Sequence, residues 1–203
     1  MLDYGIGNLR SAEKALQHVG AAARLVDVPG DVAAADAVVL PGVGAFGACA
    51  RALHDSGLGD AARTAIEAGV PFFGVCVGFQ LLYESSVESP GAAGLGIFPG
   101  VVAPLPAGVK HPQMQWNTLH VCGTEKQEPE PLRGLGPRPW VYFVHSFAPP
   151  VGPETAAVCD YGGDVAALAI RGALWGAQFH PEKSGATGLA LLGNFVRAAK
   201  LVA

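Results

Sequence analysis

The sequence predicts an α/β protein, a three-layer open sheet whose parallel core is extended by antiparallel strands. Two observations carry that reading. In the first half, short apolar runs alternate with helical patterns, as parallel strands joined by crossover helices require. In the second half, strand-like runs crowd together with glycine turns between them, which suits antiparallel strands added to a sheet. With 203 residues the chain is long enough for one domain over 1–203. A domain of that size buries roughly 70% of its unfolded surface, so its core needs no staples.

In chain order, Asn8 or Ser11 can cap a helix that runs to about Val19 and closes at Gly20. Arg24 to Val28 and Ala37 to Leu40 read as strands. Helical patterns follow over Ala48 to His54 and Asp60 to Ala68, the second stopped by Gly69. Pro71 to Val75 is a dense, buried strand, and Phe79 to Glu84 reads as the helix after it. The later strand-like runs are Trp140 to Phe147, Thr155 to Tyr161, Val165 to Ile170 and Leu174 to Phe179. A last helix spans about Thr187 to Leu201, with Leu189, Leu192, Phe195 and Val196 on one face. Gly123 to Pro139, rich in proline and charge, is expected to be a flexible loop.

Composition excludes several classes. Half of the residues are hydrophobic and 15% are charged, as in a compact globule rather than a disordered chain. The net charge is −4 with Lys and Arg scattered, so no basic patch points to nucleic acid or a membrane surface. Cys49, Cys76, Cys122 and Cys159 form no CxxC pair, which argues against a disulfide framework or a metal site and fits a reducing cytoplasm. The longest apolar run, Val70 to Tyr83, is broken by Gln80 and is too short for a membrane span. The opening Met1-Leu2-Asp3 lacks the basic start of a signal peptide.

Two motifs carry chemistry. Gly74-Val75-Cys76-Val77-Gly78 lies between a buried strand and a helical pattern. It has the form of a nucleophile elbow with cysteine in place of serine, and the following helix N-terminus favours the thiolate. The alternative is a buried cysteine in a glycine-rich turn. His180-Pro181-Glu182 supplies a base with a carboxylate two positions on, and Pro181 restrains how far the two splay. Alone it reads as a surface turn; after an apolar run, in a chain with a cysteine elbow, it reads as the rest of a triad.

Gly42-Val43-Gly44-Ala45-Phe46-Gly47 matches the spacing of a dinucleotide fingerprint. It follows the third expected strand rather than the first, with Pro41 just before it, so that reading fails. Its better role is to expose a second backbone donor, near Val43, to an oxyanion whose first donor is the N–H of Val77. A plain β-turn is the alternative.

The cysteine elbow, Gln80 and the HPE segment together resemble the class I glutamine amidotransferases. The histidine-biosynthetic branch of that family is closer still. It is similar in Asp3-Tyr4-Gly5-Ile6-Gly7-Asn8-Leu9, Pro41-Gly42-Val43-Gly44, Pro112-Gln113-Met114 with Trp116-Asn117, Tyr142-Phe143-Val144-His145-Ser146 and His180-Pro181-Glu182-Lys183-Ser184-Gly185. The resemblance implies a flavodoxin-like fold with the active site at the C-terminal ends of the parallel strands. It implies a Cys76 nucleophile, a His180 acid and base, and Glu182 as orienter. It further implies glutamine contacts from Gly42, Gly44, Gln80, Glu88, Tyr142, His145 and Ser146, and no cofactor. Asn8, Trp116, Asn117 and Lys183 would face a partner, a (β/α)8-barrel cyclase that consumes the ammonia. On the residues alone, Gln80 and Glu88 read as polar surface beside the elbow, and Trp116 as core.

Two departures from the family pattern stand out. Several strand residues that usually precede the Leu2-Asp3-Tyr4-Gly5 segment are not present, so a short first strand is expected. Gln115 replaces a glycine beside the expected interface. The competing readings are a glutaminase of another class I pathway, a stand-alone γ-glutamyl hydrolase, and a non-enzymatic module that kept the fold.

Overall fold

A computed structural model describes residues 1–122 and 129–202. The first half contains α1 (Leu9–His18), α2 (Pro29–Val32), β1 (Val38–Leu40), α3 (Phe46–Asp55), α4 (Leu58–Glu67), β2 (Phe72–Val75) and the single turn α5 (Val77–Gln80). Four strands follow: β3 (Ser85–Ser86), β4 (Val101–Pro104), β5 (Gln113–Thr118) and β6 (His120–Val121). Then come β7 (Trp140–His145), β8 (Phe147–Ala148), β9 (Thr155–Asp160), β10 (Asp164–Arg171), β11 (Leu174–Ala177) and α6 (Gly185–Val202).

The main sheet runs β1-β2-β11-β10-β9-β6. β1, β2 and β11 are parallel to one another; β11 is antiparallel to β10, β10 to β9 and β9 to β6. The expected parallel core with an antiparallel extension is therefore present, and β11 is where the two meet. All residues of β1, β2 and β11 are buried, as strands covered on both faces must be. On one face Phe73 and Trp175 stack edge-on against each other, and both pack on Phe195 of α6. On the other face Gly176 lies flat under the ring of Phe79, which a Cβ there would meet at 2.0 Å.

Several expectations need correction. Arg24 to Val28 is no strand; Val26 alone bridges Leu2 in parallel. The Met1 to Asp3 segment is nonetheless held: Leu2 N–H donates to Val39 O at 2.9 Å and Asp3 N–H to Val26 O at 2.8 Å. The helix expected over Phe79 to Glu84 is instead α5, starting at the elbow. It ends early because Glu84 N–H turns to Gly100 O at 3.2 Å and carries the chain into β3. The N-terminus of α5 lies directly after Cys76, but a single turn presents only a weak dipole to the sulfur. The Trp140 to Phe147 run is split. β7 leaves the main sheet and pairs with β5 in a two-stranded ribbon, while β8 joins β4 and β3. Of the expected loop over Gly123 to Pro139, residues 123–128 lie outside the described residues, and Glu130–Leu132 form a 3₁₀ turn.

Candidate active site

Three loops converge because β1, β2 and β11 are adjacent and parallel. Their C-terminal ends deliver Pro41 to Gly44, Cys76, and Gln178 to Glu182 respectively. Cys76 has φ 54° and ψ −113°, the one non-glycine residue with positive φ among the described residues. Such backbone strain marks a side chain held out of a strand end by its surroundings. A Cβ on Gly78 would lie 1.9 Å from Leu40 O, so only glycine lets the elbow rest against β1. Cys76 N–H donates to Ala177 O at 2.7 Å, tying the elbow to the strand that leads to the histidine.

His180 is fixed from both sides. Its N–H donates to Tyr142 O at 3.0 Å, and Ser184 Oγ donates to its carbonyl at 2.6 Å. Pro181 opens a 3₁₀ turn, Pro181–Lys183, that brings Glu182 Oε1 to 2.8 Å from His180 Nδ1, with both side chains almost wholly enclosed. Burial pushes the imidazole pKa down, but its hydrogen bonds with Cys76 and Glu182 outweigh this and hold it up at about 9. The ring faces the sulfur on one side and a carboxylate on the other, an arrangement that favours its protonated form.

The loop after β1 is closed. Val77 N–H, the expected oxyanion donor, is engaged by Gly42 O at 3.3 Å. The flanking carbonyls are held as well, Pro41 O by the Tyr4 hydroxyl at 2.6 Å and Val43 O by the Cys49 thiol at 3.3 Å. Burial pushes both Tyr4 and Cys49 up, so both stay protonated donors. A Cβ on Gly42 would meet Gly78 N at 2.7 Å.

Beside the sulfur is a pocket of about 200 Å³, lined by Cys76, Val77, Gly44, Gln80, Glu88, His145 and Ser146 among others. Gln80 Nε2 donates to Phe147 O at 2.8 Å, and Glu88 Oε2 accepts Phe46 N–H at 2.7 Å. His145 Nδ1 faces Phe147 O at 2.9 Å, and among the described residues its Nε2 has no partner. Burial lowers its pKa to about 4 against the opposing pull of that carbonyl, so this ring is neutral. Two residues expected here lie elsewhere. Gly42 is packed under the elbow, and the Tyr142 backbone, expected to meet the substrate, instead accepts His180 N–H and does not line the pocket.

The ribbon register pairs Met114 with Val144, Trp116 with Tyr142 and Thr118 with Trp140, so one face gathers Met114, Trp116 and Trp140, all about half exposed or more. Trp116 meets Tyr142 edge-on and lies beside Gly185, close to exposed Lys183. Asn8 is exposed just before α1. Asn117 and Gln115 alternate to the opposite face, where Asn117 Nδ2 donates to Asp160 O at 2.9 Å.

The model of the glutamine amidotransferase class-I family matches residues 1–199. The chain belongs to the class-I glutamine amidotransferase family. Among the relatives of this amidotransferase is the imidazole glycerol phosphate synthase subunit HisH of Deinococcus radiodurans, 48% identical over 97% of this chain and 92% of the relative. The protein of that name from Thermosynechococcus vestitus is 46% identical over 98% and 96%. A solved glutamine amidotransferase superposes with TM-score 0.76 at 23% identity, covering 98% of this chain and 97% of that one. PurLQS of Thermotoga maritima gives 0.71 at 19% identity over 97% and 95%; these two speak for the fold. Sequence reasoning passed over Gln178, Tyr4 and Cys49 of this amidotransferase. A polar residue inside the buried run Leu174 to Phe179 was the available signal for the first.

Proposed function

We propose that this chain is the glutaminase subunit of imidazole glycerol phosphate synthase, one domain over 1–203, working in the cytoplasm in histidine biosynthesis. The observation that carries the chemistry is the geometry of His180, held by Glu182 at 2.8 Å on one side and hydrogen-bonded to Cys76 on the other. Glutamine binds with its carboxamide at Cys76 and its far end toward Glu88 and Ser146. The thiolate attacks the amide carbon, and the oxyanion takes N–H bonds from Val77 and Val43. His180 gives its proton to the leaving nitrogen, and ammonia departs from a γ-glutamyl thioester. Water then attacks with neutral His180 as base, and glutamate leaves. No step calls for a metal or cofactor. The ammonia passes to a (β/α)8-barrel cyclase docked on the face of Trp116, Tyr142 and Lys183, near Asn8. Asn117 supports that face from behind.

Cys76→Ser tests the reading. A hydroxyl is far less ionised than a thiol near neutral pH. Glutamine-dependent synthesis by the complex should be lost while ammonia-dependent synthesis survives. Comparable glutamine turnover by the Ser variant would remove Cys76 as nucleophile.

A further inference from the structure

Gln178 has no exposed surface, and it sits between Ala177 and Phe179 in an otherwise apolar run. A buried carboxamide is retained only where its hydrogen bonds are satisfied. Its partners dictate which way it lies. The Phe147 carbonyl, 2.8 Å from Gln80 Nε2, has no hydrogen to give, so the Gln80 group facing it is the NH₂. The other hydrogen of that NH₂ goes to Gln178 Oε1 at 3.1 Å. With its oxygen engaged, Gln178 turns its own NH₂ the other way, and Nε2 lies 3.9 Å from Cys76 Sγ.

We propose that Gln178 is a further catalytic residue, its carboxamide N–H stabilising the Cys76 thiolate, with Gln80 as the positioning residue that fixes the orientation. This rests on Cys76 being the nucleophile. The sulfur then has donors on two sides, His180 and Gln178. A hydrogen bond to a charged acceptor is about twice as strong as one to a neutral acceptor. The Gln178 contact is therefore strongest once the thiol proton has moved to His180 and weakest in the neutral thioester. Being uncharged, it stays in place when His180 gives its proton to the leaving ammonia. Gln80 also lines the glutamine pocket, so the group that meets substrate is the one that aims the amide at the nucleophile.

Gln178→Met keeps length and apolar volume but has no N–H. In the complex with the cyclase, kcat for glutamine should fall about tenfold or more, as for a lost bond to a charged group, with KM nearly unchanged. Carboxamidomethylation of the full chain by iodoacetamide at pH 7.5, read on the Cys76 peptide by mass spectrometry, should slow several-fold. Gln80→Met should slow the same alkylation, and the double variant should be no slower than Gln178→Met alone, because Gln80 acts on sulfur through Gln178. The Gln80 variant reports on the relay even if Gln178→Met does not fold. An unchanged alkylation rate in either variant, or additive losses in the double, would overturn the proposal. Cys76→Ser separates the two readings. If that variant turns over glutamine the proposed function fails; if it is dead while Gln178→Met alkylates normally, only the Gln178 role fails.

Discussion

His180 stands between Cys76 and Glu182, and the proton on its ring decides how the site responds to pH. With the pKa held up at about 9, glutaminase turnover of the complex should be sustained through neutral pH and fall above about pH 9, as the acid for the leaving ammonia disappears. Stability follows the same sign. A pKa raised above its ordinary 6.5 contributes stability fully below pH 6.5, and this is lost as pH rises through about 9. Glu182→Gln removes the charge that favours the imidazolium. A rate loss of about 10²-fold or more is expected, given the roughly 10⁴-fold precedent of a triad orienter. The alkaline fall should also begin at lower pH, which a pH–rate profile of both proteins checks. His145 works oppositely. Its pKa is lowered to about 4, so its burial destabilises the fold as pH drops below 6.5 and the unfolded chain takes up the proton. At this scale the meeting of Cys76, His180 and Glu182 was legible, because each has a distinctive type and spacing. Gln178 and Tyr4 were not, because their partners lie across strands, in contacts separated by 102 and 37 residues.

Local pattern located most elements well. The helices α3, α4 and α6 and the strands β1 and β2 fall within a residue or two of their expected spans, since each has one clear period and a defined stop. The failures share a cause. The Trp140 to Phe147 run alternates like any half-buried strand, and nothing local says that its partner is β5 rather than the main sheet. β5 itself shows exposed Met114, Gln115 and Trp116 in a row, which hides its strand character. The elbow is the element most sensitive to substitution. A Cβ at Gly78, 1.9 Å from Leu40 O, forces α5 and the elbow away from the end of β1. Gly78→Ala should cost about 3 kcal/mol, lowering the thermal midpoint by roughly 6–12 °C, as calorimetry would show. On the ribbon, Trp116→Ala should leave the midpoint within a few degrees but weaken cyclase binding about tenfold or more, because exposed tryptophans in a docking face act as anchors. Titration of labelled cyclase measures that, and unchanged affinity would move the docking face elsewhere.

Across the whole molecule, Cys76, His180 and Glu182 stand together while Val77 N–H, an oxyanion donor in the proposed mechanism, is taken. Val77 N–H is occupied by Gly42 O, and an oxyanion short of a donor costs roughly 10²–10³ in rate. On the proposed function, this closed geometry would economise on glutamine. Ammonia released with no cyclase docked would be lost to water, so a site that stays closed until docking avoids waste. Turning over the Gly42–Val43 peptide would free Val77 N–H and present Val43 N–H beside it, and glycine at 42 has the backbone freedom this needs. Trp116 lies beside Gly185, just after the turn Pro181–Lys183, so a cyclase docked as proposed would press on the segment that carries His180 and Glu182. Neither the order β1-β2-β11 nor the closed loop was legible in sequence: Leu174 to Phe179 reads with the antiparallel runs, and the loop depends on one peptide orientation. The most direct measurement is the rate of glutamate release by the purified chain, alone and with the cyclase and its nucleotide ligand. Negligible turnover alone and a rise of at least about tenfold in the loaded complex are expected, the docked state being the one that binds the oxyanion. Full activity of the free chain would contradict the coupling and favour a stand-alone hydrolase.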